Sequence, residues 1–287
     1  MECCLHGPLG KRKPKFGGAE ELRRHPERRA RGSRSSPALH WQTRSFTGKA
    51  RFSLPVSQGG LPVKTPTVVF DLDGTLVDTA PDLVASLNHT IAALDLQPVG
   101  YNDLSYLVGH GAKTMIERAC KLGGYDLEEK DMPPLMERFI DFYGKTMPGD
   151  SKPYPGLVAA LDRLRAEGFA LAVCTNKMEA LAVTLLQKLR LDHYFATIVG
   201  GDTFPVRKPD GQHILGTIDK AGGDATRAIM VGDSINDILA ARNAAVPSIA
   251  VPFGYSDVEI ASLSPNHIIQ HYEELTPELV TRLLATR

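Results

Sequence analysis

Cysteine, tryptophan and long apolar runs are all scarce in this chain of 287 residues. The four cysteines, Cys3, Cys4, Cys120 and Cys174, have neither the spacing of a metal site nor the pattern of a secreted disulfide framework. Their scarcity favours a reducing, cytoplasmic compartment. No stretch approaches the roughly 18 consecutive apolar residues that a membrane-spanning helix needs, so we expect no membrane association.

Net charge is also absent, because 33 Lys and Arg balance 33 Asp and Glu. The two signs are distributed unevenly: residues 1–64 carry 14 basic and 4 acidic side chains, and residues 65–287 carry 19 and 29. Non-specific binding of nucleic acid requires a basic surface, so no nucleic-acid partner is expected for the acidic part.

Residues 1–64 are rich in Arg, Pro, Gly and Ser and have little apolar periodicity, which predicts a disordered basic N-terminal extension. They lack the apolar core of a secretory signal peptide. An extension without function, a targeting segment and a segment that binds nucleic acid or anionic lipid all remain open for this composition.

From residue 65 onward, short apolar runs alternate with segments of helical periodicity, which predicts an α/β fold with a Rossmann-like parallel sheet core. The first two predicted strands, near residues 67–71 and 170–175, are separated by a long stretch that is helical only. We therefore predict an inserted α-helical cap at 82–152, with the core formed by 65–81 and 153–287. A cap in this position would cover the carboxyl ends of the strands, where open α/β sheets bind ligands.

Acidic side chains follow two of the predicted strands. Asp71 and Asp73 are two residues apart, so on an extended chain they would point to one side, and Gly74 would let the chain turn after them. Two adjacent carboxylates suit a hard divalent cation such as Mg²⁺, although they could also be ordinary strand-end charges. Asp233 would complete that site or cap a helix, and Asp237, one helical turn later, would support it.

Donors for phosphate oxygens follow the second strand and precede the fourth. Thr175 and Asn176 offer a hydroxyl and an amide, and Lys208 offers a cation that would offset the clustered carboxylates. Lys177 reads as a solvated surface charge.

Taken together, the sequences DLDGT, Thr-Asn after a strand, Lys-Pro-Asp and GDSxxD resemble the four ordered motifs of the haloacid dehalogenase superfamily of aspartate-nucleophile phosphatases. The stretches FDLDGTLVDTAPDL, LVGHGAKTMIERA and GGDTFPVRKPD are similar to the bacterial phosphoglycolate phosphatases of that superfamily. The resemblance covers about residues 66–275. One departure is Gly211, where the family often has proline after Lys-Pro-Asp; this predicts a more flexible entry to the next helix.

The resemblance implies a Mg²⁺-dependent phosphatase acting on a small phosphate ester, with 2-phosphoglycolate as the leading substrate. Asp71 would attack phosphorus and Asp73 would act as the acid and base. Mg²⁺ would be held by the Asp71 side chain, the Asp73 carbonyl and the Asp233 side chain. Thr175, Asn176 and Lys208 would bind the phosphoryl group, and Asp237 would support the site.

Other functions remain open, because a fold does not fix a substrate. They are hydrolysis of another phosphate ester, a nucleoside monophosphate or pyrophosphate, and phosphate transfer by a sugar phosphomutase. Asp73 argues against a dehalogenase, and the clustered carboxylates argue against a non-catalytic protein that binds through its basic extension. The sequence implies no particular oligomeric state.

Overall fold

The computed structural model describes residues 64–286, except residues 101–102 and 104–110. The predicted extension therefore lies outside the described residues, apart from Lys64. Within the described part, no helix is both long and apolar enough to cross a bilayer.

The fold alternates strands and helices, as the sequence predicts. The strands are β1 (Thr65–Phe70), β2 (Val77–Asp78), β3 (Lys152–Pro153), β4 (Ala170–Cys174), β5 (Thr197–Val199), β6 (Gly223–Gly232), β7 (Ser248–Ala250) and β8 (His267–Ile268). The helices among the described residues are α1 (Ala80–Ile91), α2 (Ala112–Leu122), α3 (Met132–Thr146), α4 (Leu157–Ala166), α5 (Glu179–Lys188), α6 (Gly211–Lys220), α7 (Ile235–Asn243) and α8 (Pro277–Ala285).

Six of the strands form one parallel sheet in the order β5-β4-β1-β6-β7-β8, which confirms the predicted α/β class. β1 lies inside the sheet because its residues Val68, Val69 and Phe70 are apolar and fully buried. Phe70 pairs with Val173 of β4 on one side and with Val231 of β6 on the other. The ends of these three strands therefore lie side by side.

β6 begins at Gly223, five residues before its buried apolar run starts at Ala228. Its pairing with β1 shifts register between Thr65 and Thr67. This irregularity separates the early part of β6 from the apolar run that the sequence pattern reveals.

The helical insert, α1 to α3, lies between β2 and β3, which pair with each other as a separate antiparallel ribbon. Each strand of this ribbon has only two residues, too short for a sequence pattern to reveal. The buried Asp82 carboxylate, at the start of α1, makes a second connection between the two ends of the insert. It accepts hydrogen bonds from the backbone nitrogens of Gly149 and Asp150, both at 2.9 Å, and from the Ser151 hydroxyl, all in the segment before β3.

Gly211 does not loosen the start of α6, so the expectation of a flexible entry is wrong. Asp210 caps the helix by accepting a hydrogen bond from the Gln212 nitrogen at 2.8 Å. Gly211 itself is buried, and a Cβ there would lie only 2.5 Å from the Ala244 nitrogen and 2.6 Å from the Asn243 carbonyl carbon. The absence of a side chain therefore allows α6 to approach the end of α7.

Candidate active site

The predicted functional residues meet at one edge of the sheet. Asp71 directly follows β1, Thr175 follows β4 and Asp233 follows β6, and neighbouring parallel strands end at the same edge. A cavity of about 230 Å³ opens there, lined by these residues and by helices of the insert. Of the site residues predicted from the sequence, six line this cavity: Asp71, Asp73, Thr175, Asn176, Lys208 and Asp233. The seventh, Asp237, lies behind them and is fully buried.

A turn, rather than an extended strand, positions Asp71 and Asp73. The Asp71 nitrogen still donates a hydrogen bond of 2.9 Å to the Val231 carbonyl of β6. The chain then turns at Leu72, whose carbonyl accepts hydrogen bonds from the backbone nitrogens of residues 75–77. Gly74 continues the turn at a φ of 83°, a conformation that glycine adopts at little cost. The β-strand spacing was therefore the wrong reason for placing the two carboxylates together, although both do line the cavity.

Lys208 joins two of the carboxylates. Its ammonium lies 2.7 Å from Asp71 Oδ1 as an ion pair and donates a hydrogen bond of 2.6 Å to Asp237 Oδ1. All three residues are buried. Burial by itself would lower the pKa of Lys208, but Asp237 and Asp71 hold it above its ordinary value, so the lysine remains a cation.

Asp233 and Asp237 have different partners, although they lie on one short segment. Asp233 accepts from the Thr75 hydroxyl and from the Tyr255 backbone nitrogen, both at 2.8 Å. The alternative that Asp233 caps α7 is wrong, because Ser234 is the capping residue and its hydroxyl and nitrogen both bond to Asp237 Oδ2. Asp237 is thus fully engaged by Ser234 and Lys208, which suits a supporting position.

The acidic cluster has the character of a cation site. Carboxylate oxygens of Asp71, Asp233 and Asp237 all lie within 4.8 Å of one another. Burial raises the pKa of Asp71 to about 7 against the opposing effect of Lys208, and burial together with Asp237 and Asp71 raises the pKa of Asp233. Crowded buried carboxylates are relieved by a cation, and their oxygens are ligands that hard divalent ions prefer.

Two glycines, Gly74 and Gly254, pack directly against the Asp233 carboxylate. A Cβ at Gly74 or at Gly254 would overlap the Asp233 carboxylate. The buried cluster of Asp71, Asp233 and Asp237 therefore fits a divalent metal ion.

Thr175 and Asn176 are held by hydrogen bonds within the loop after β4. Thr175 Oγ1 accepts from the Lys177 nitrogen at 3.2 Å, and the Asn176 amide donates to the Lys208 carbonyl at 2.9 Å. The second bond ties the loop to the segment that carries Lys208. Asn176 Oδ1 is buried and has no hydrogen-bond partner among the described residues.

Lys177 is not the solvated charge that the sequence suggested. Its side chain is only 6% exposed, and its ammonium contacts both oxygens of Asp73, at 2.9 and 3.2 Å. It also lies 4.3 Å from the centre of the Tyr143 ring, on α3 of the insert. No local sequence pattern signals this burial, because Tyr143 lies on a helix more than 30 residues away along the chain.

Comparisons with known proteins agree with this geometry. The family model of the haloacid dehalogenase-like hydrolases matches residues 68–251. A phosphoglycolate phosphatase of Agrobacterium fabrum is 62% identical over 221 residues, 77% of this chain and 95% of the relative. One of Mesorhizobium japonicum is 48% identical over 219 residues, 76% and 96% of the two chains.

A solved structure from Haemophilus somnus, described as a predicted phosphoglycolate phosphatase, superposes with a TM-score of 0.68. It is 30% identical and the match covers 78% of this chain and 98% of that one. The family match and the curated relatives identify this parallel α/β sheet, with its helical insert and acidic cluster, as the fold of a hydrolase. The chain belongs to the haloacid dehalogenase-like hydrolase family.

Proposed function

We propose that this chain is a Mg²⁺-dependent phosphatase that hydrolyses 2-phosphoglycolate to glycolate and inorganic phosphate. The observation that carries the proposal is the contact between Lys208 and Asp71 beside Asp233, at the carboxyl edge of the sheet and inside a cavity. The similarity to phosphoglycolate phosphatases over three quarters of the chain supports the choice of substrate.

In this mechanism Asp71 is the nucleophile. One of its carboxylate oxygens forms a bond to phosphorus as the bond to the ester oxygen breaks, which gives an aspartyl-phosphate. Asp73 donates a proton to the departing alkoxide and so releases glycolate. Asp73 then takes a proton from water, whose oxygen forms a bond to phosphorus as the bond between phosphorus and the Asp71 oxygen breaks, which releases inorganic phosphate and restores the Asp71 carboxylate. The position of both residues on the cavity wall supports these roles.

The remaining residues position and neutralise the phosphoryl group. Lys208, Thr175 and Asn176 would donate to its oxygens, which is the main contribution a protein makes to phosphoryl transfer. Asp237 would act through Lys208, whose ammonium it fixes at 2.6 Å.

Mg²⁺ would be held by the Asp71 side chain, the Asp73 backbone carbonyl and the Asp233 side chain. The bound ion supplies positive charge that offsets the phosphate and carboxylate charges. The all-oxygen donor set supports Mg²⁺ over softer metals.

We also propose that the chain has three parts with different roles. Residues 65–81 and 153–287 would form the catalytic core, residues 82–152 the cap, and residues 1–64 a separate extension. The β2–β3 pairing at both ends of the insert supports these boundaries. A cytoplasmic location is supported by the free, buried thiols of Cys120 and Cys174.

The test is phosphate release with and without Mg²⁺ from 2-phosphoglycolate, glucose phosphates, a nucleoside monophosphate and pyrophosphate. We expect Mg²⁺-dependent turnover that is highest on 2-phosphoglycolate and is lost in Asp71→Asn, which removes the nucleophile while keeping its size. Turnover of every substrate except 2-phosphoglycolate would overturn the substrate. Full activity of Asp71→Asn would overturn the mechanism.

A further inference from the structure

The cavity has two buried lysines at different places on its wall. Lys208 contacts two carboxylates, those of Asp71 and Asp237, and belongs to the phosphate end. Lys177 contacts Asp73, the proposed acid, and belongs to the end where the leaving group departs. The role of Lys177 is not explained by the proposed chemistry, which needs Asp73 to reach the ester oxygen.

Tyr143 lies beside Lys177 and lines the same cavity. Its side chain is completely buried, and its hydroxyl makes no hydrogen bond of good geometry among the described residues, although the Lys177 ammonium is close enough to interact with it. A buried polar group without a partner costs about 1–3 kcal/mol, so such groups in enzymes often await a ligand. An unpartnered hydroxyl and a buried ammonium therefore lie together at the leaving-group end.

A second anionic group, the carboxylate, distinguishes 2-phosphoglycolate from a simple phosphate ester. Its carboxylate is separated from the ester oxygen by a single methylene carbon. When the ester oxygen lies beside Asp73, the substrate carboxylate lies close to the neighbours of Asp73. Those neighbours include Lys177, which pairs with Asp73, and Tyr143, which contacts Lys177. The ammonium has three donors and the phenol one, which together can satisfy a carboxylate.

Resting on the proposed function, we infer that Lys177 and Tyr143 bind the carboxylate of the substrate and thereby select 2-phosphoglycolate over uncharged esters. The substrate carboxylate takes a hydrogen bond from the Lys177 ammonium and another from the Tyr143 hydroxyl. Sharing of the ammonium with the substrate weakens its contact with Asp73, which frees Asp73 to approach the ester oxygen.

Among the residues that the structure describes, two other cations line the cavity and are rival candidates. The Lys113 side chain is 67% exposed and lies 3.8 Å from Glu117, and Arg207 is also exposed. Exposed charges are screened by water and contribute little to binding, whereas a buried ammonium acts at low dielectric. The structure therefore favours Lys177.

The test compares kcat/KM for 2-phosphoglycolate with kcat/KM for 2-hydroxyethyl phosphate, in which a CH₂OH group replaces the carboxylate. The wild-type ratio should favour 2-phosphoglycolate. Lys177→Met should lower this ratio by about 10- to 100-fold, the value of a hydrogen bond to a charged group. Tyr143→Phe should lower it by about 3- to 10-fold, mainly through KM.

Lys145→Met is the matched control, because Lys145 lies on α3 near Tyr143 but is 72% exposed and paired with Asp141. It should leave the ratio unchanged. Tyr143→Phe removes only an unpartnered hydroxyl, so it should fold even if Lys177→Met does not, which circular dichroism would establish.

The outcomes separate the two proposals. A wild-type enzyme that does not prefer 2-phosphoglycolate would overturn the proposed substrate. A wild-type preference that survives in Lys177→Met and Tyr143→Phe, or that is lost only in Lys113→Met or Arg207→Met, would overturn this inference alone. An equal loss on both esters in Lys177→Met would also overturn it, because it would show that Lys177 acts only by positioning Asp73.

Discussion

His213 on α6 is a fully buried histidine whose two ring nitrogens have fixed roles. Nε2 lies 3.0 Å from the Gly200 carbonyl oxygen, which can only accept, so Nε2 carries the proton. Nδ1 is then the acceptor facing the Cys174 sulfur at 3.5 Å. Burial raises the pKa of the Cys174 thiol to about 11, so the thiol keeps its proton to donate. The neutral imidazole links α6 to the end of β4.

This arrangement predicts a pH-dependent stability. Burial holds the pKa of His213 below its ordinary value of 6.5, so the unfolded chain binds this proton more readily than the folded one. As the pH falls below about 6.5, the free energy of unfolding should decrease, by up to about 1.4 kcal/mol per pH unit from this group. Urea unfolding between pH 5 and 7.5 measures the slope.

His213→Gln is the matched variant, because glutamine keeps a donor and an acceptor but does not titrate. The pH slope should be smaller in His213→Gln than in the wild type, and His267→Gln, on the sheet edge, should leave it unchanged. Identical slopes in all three proteins would show that His213 does not contribute.

The two linkers of the helical insert are held together at one point by Asp82, near the start of α1. Three donors from the returning linker, on Gly149, Asp150 and Ser151, bond to this single buried carboxylate. A nearby contact reaches the metal-binding end of the core: Tyr255 accepts from the Ala80 nitrogen through its hydroxyl and donates to Asp233 through its backbone. The position of α1 is thus linked to the site.

Removal of the Asp82 carboxylate should therefore weaken the protein substantially. We expect Asp82→Ala to lower the free energy of unfolding by about 2–4 kcal/mol, because two backbone donors and a hydroxyl lose a charged acceptor. Urea denaturation measures this change. Asp141→Ala should change it by less than about 0.5 kcal/mol, since Asp141 makes only an exposed pair with Lys145. Equal effects of the two substitutions would contradict the prediction.

The positions of the longer strands and helices could be predicted from the sequence, because the spacing of their apolar residues reflects the face that each one buries. The sequence located the ends of β1, β4 and β6, and with them Asp71, Thr175 and Asp233. It failed where the deciding contact comes from far along the chain. Lys177 is buried by Tyr143 of the insert, and the environment of Gly211 is decided by Asn243 of the next helix.

At the scale of the whole molecule, a metal ion bound to the acidic cluster would couple metal binding to folding. Mg²⁺ that binds the folded chain alone should stabilise it by about 2.7 kcal/mol at a concentration one hundred times its Kd. For a folded unit of this size that corresponds to a rise in Tm of roughly 5–10 °C.

Thermal unfolding with and without Mg²⁺ measures the shift independently of turnover. Asp233→Asn should largely abolish the rise, because it removes a charged ligand. Asp224→Asn, at a partly buried aspartate outside the cluster, should retain it. A full rise in Asp233→Asn would place the ion elsewhere.

The insertion of α1 to α3 between β1 and β4 also has a consequence for synthesis on the ribosome. β1 emerges early, but its partners are far behind it, since Thr67 pairs with Ala170 and with Ala228. At about 5–20 residues per second, β1 waits roughly 10–30 seconds for β6. Until β4 emerges, neither edge of β1 has a strand to pair with, and one edge stays unpaired until β6 follows, while the helices of the insert can already pack against one another. Asp71, the proposed nucleophile, is thus translated well before the strands that complete its surroundings.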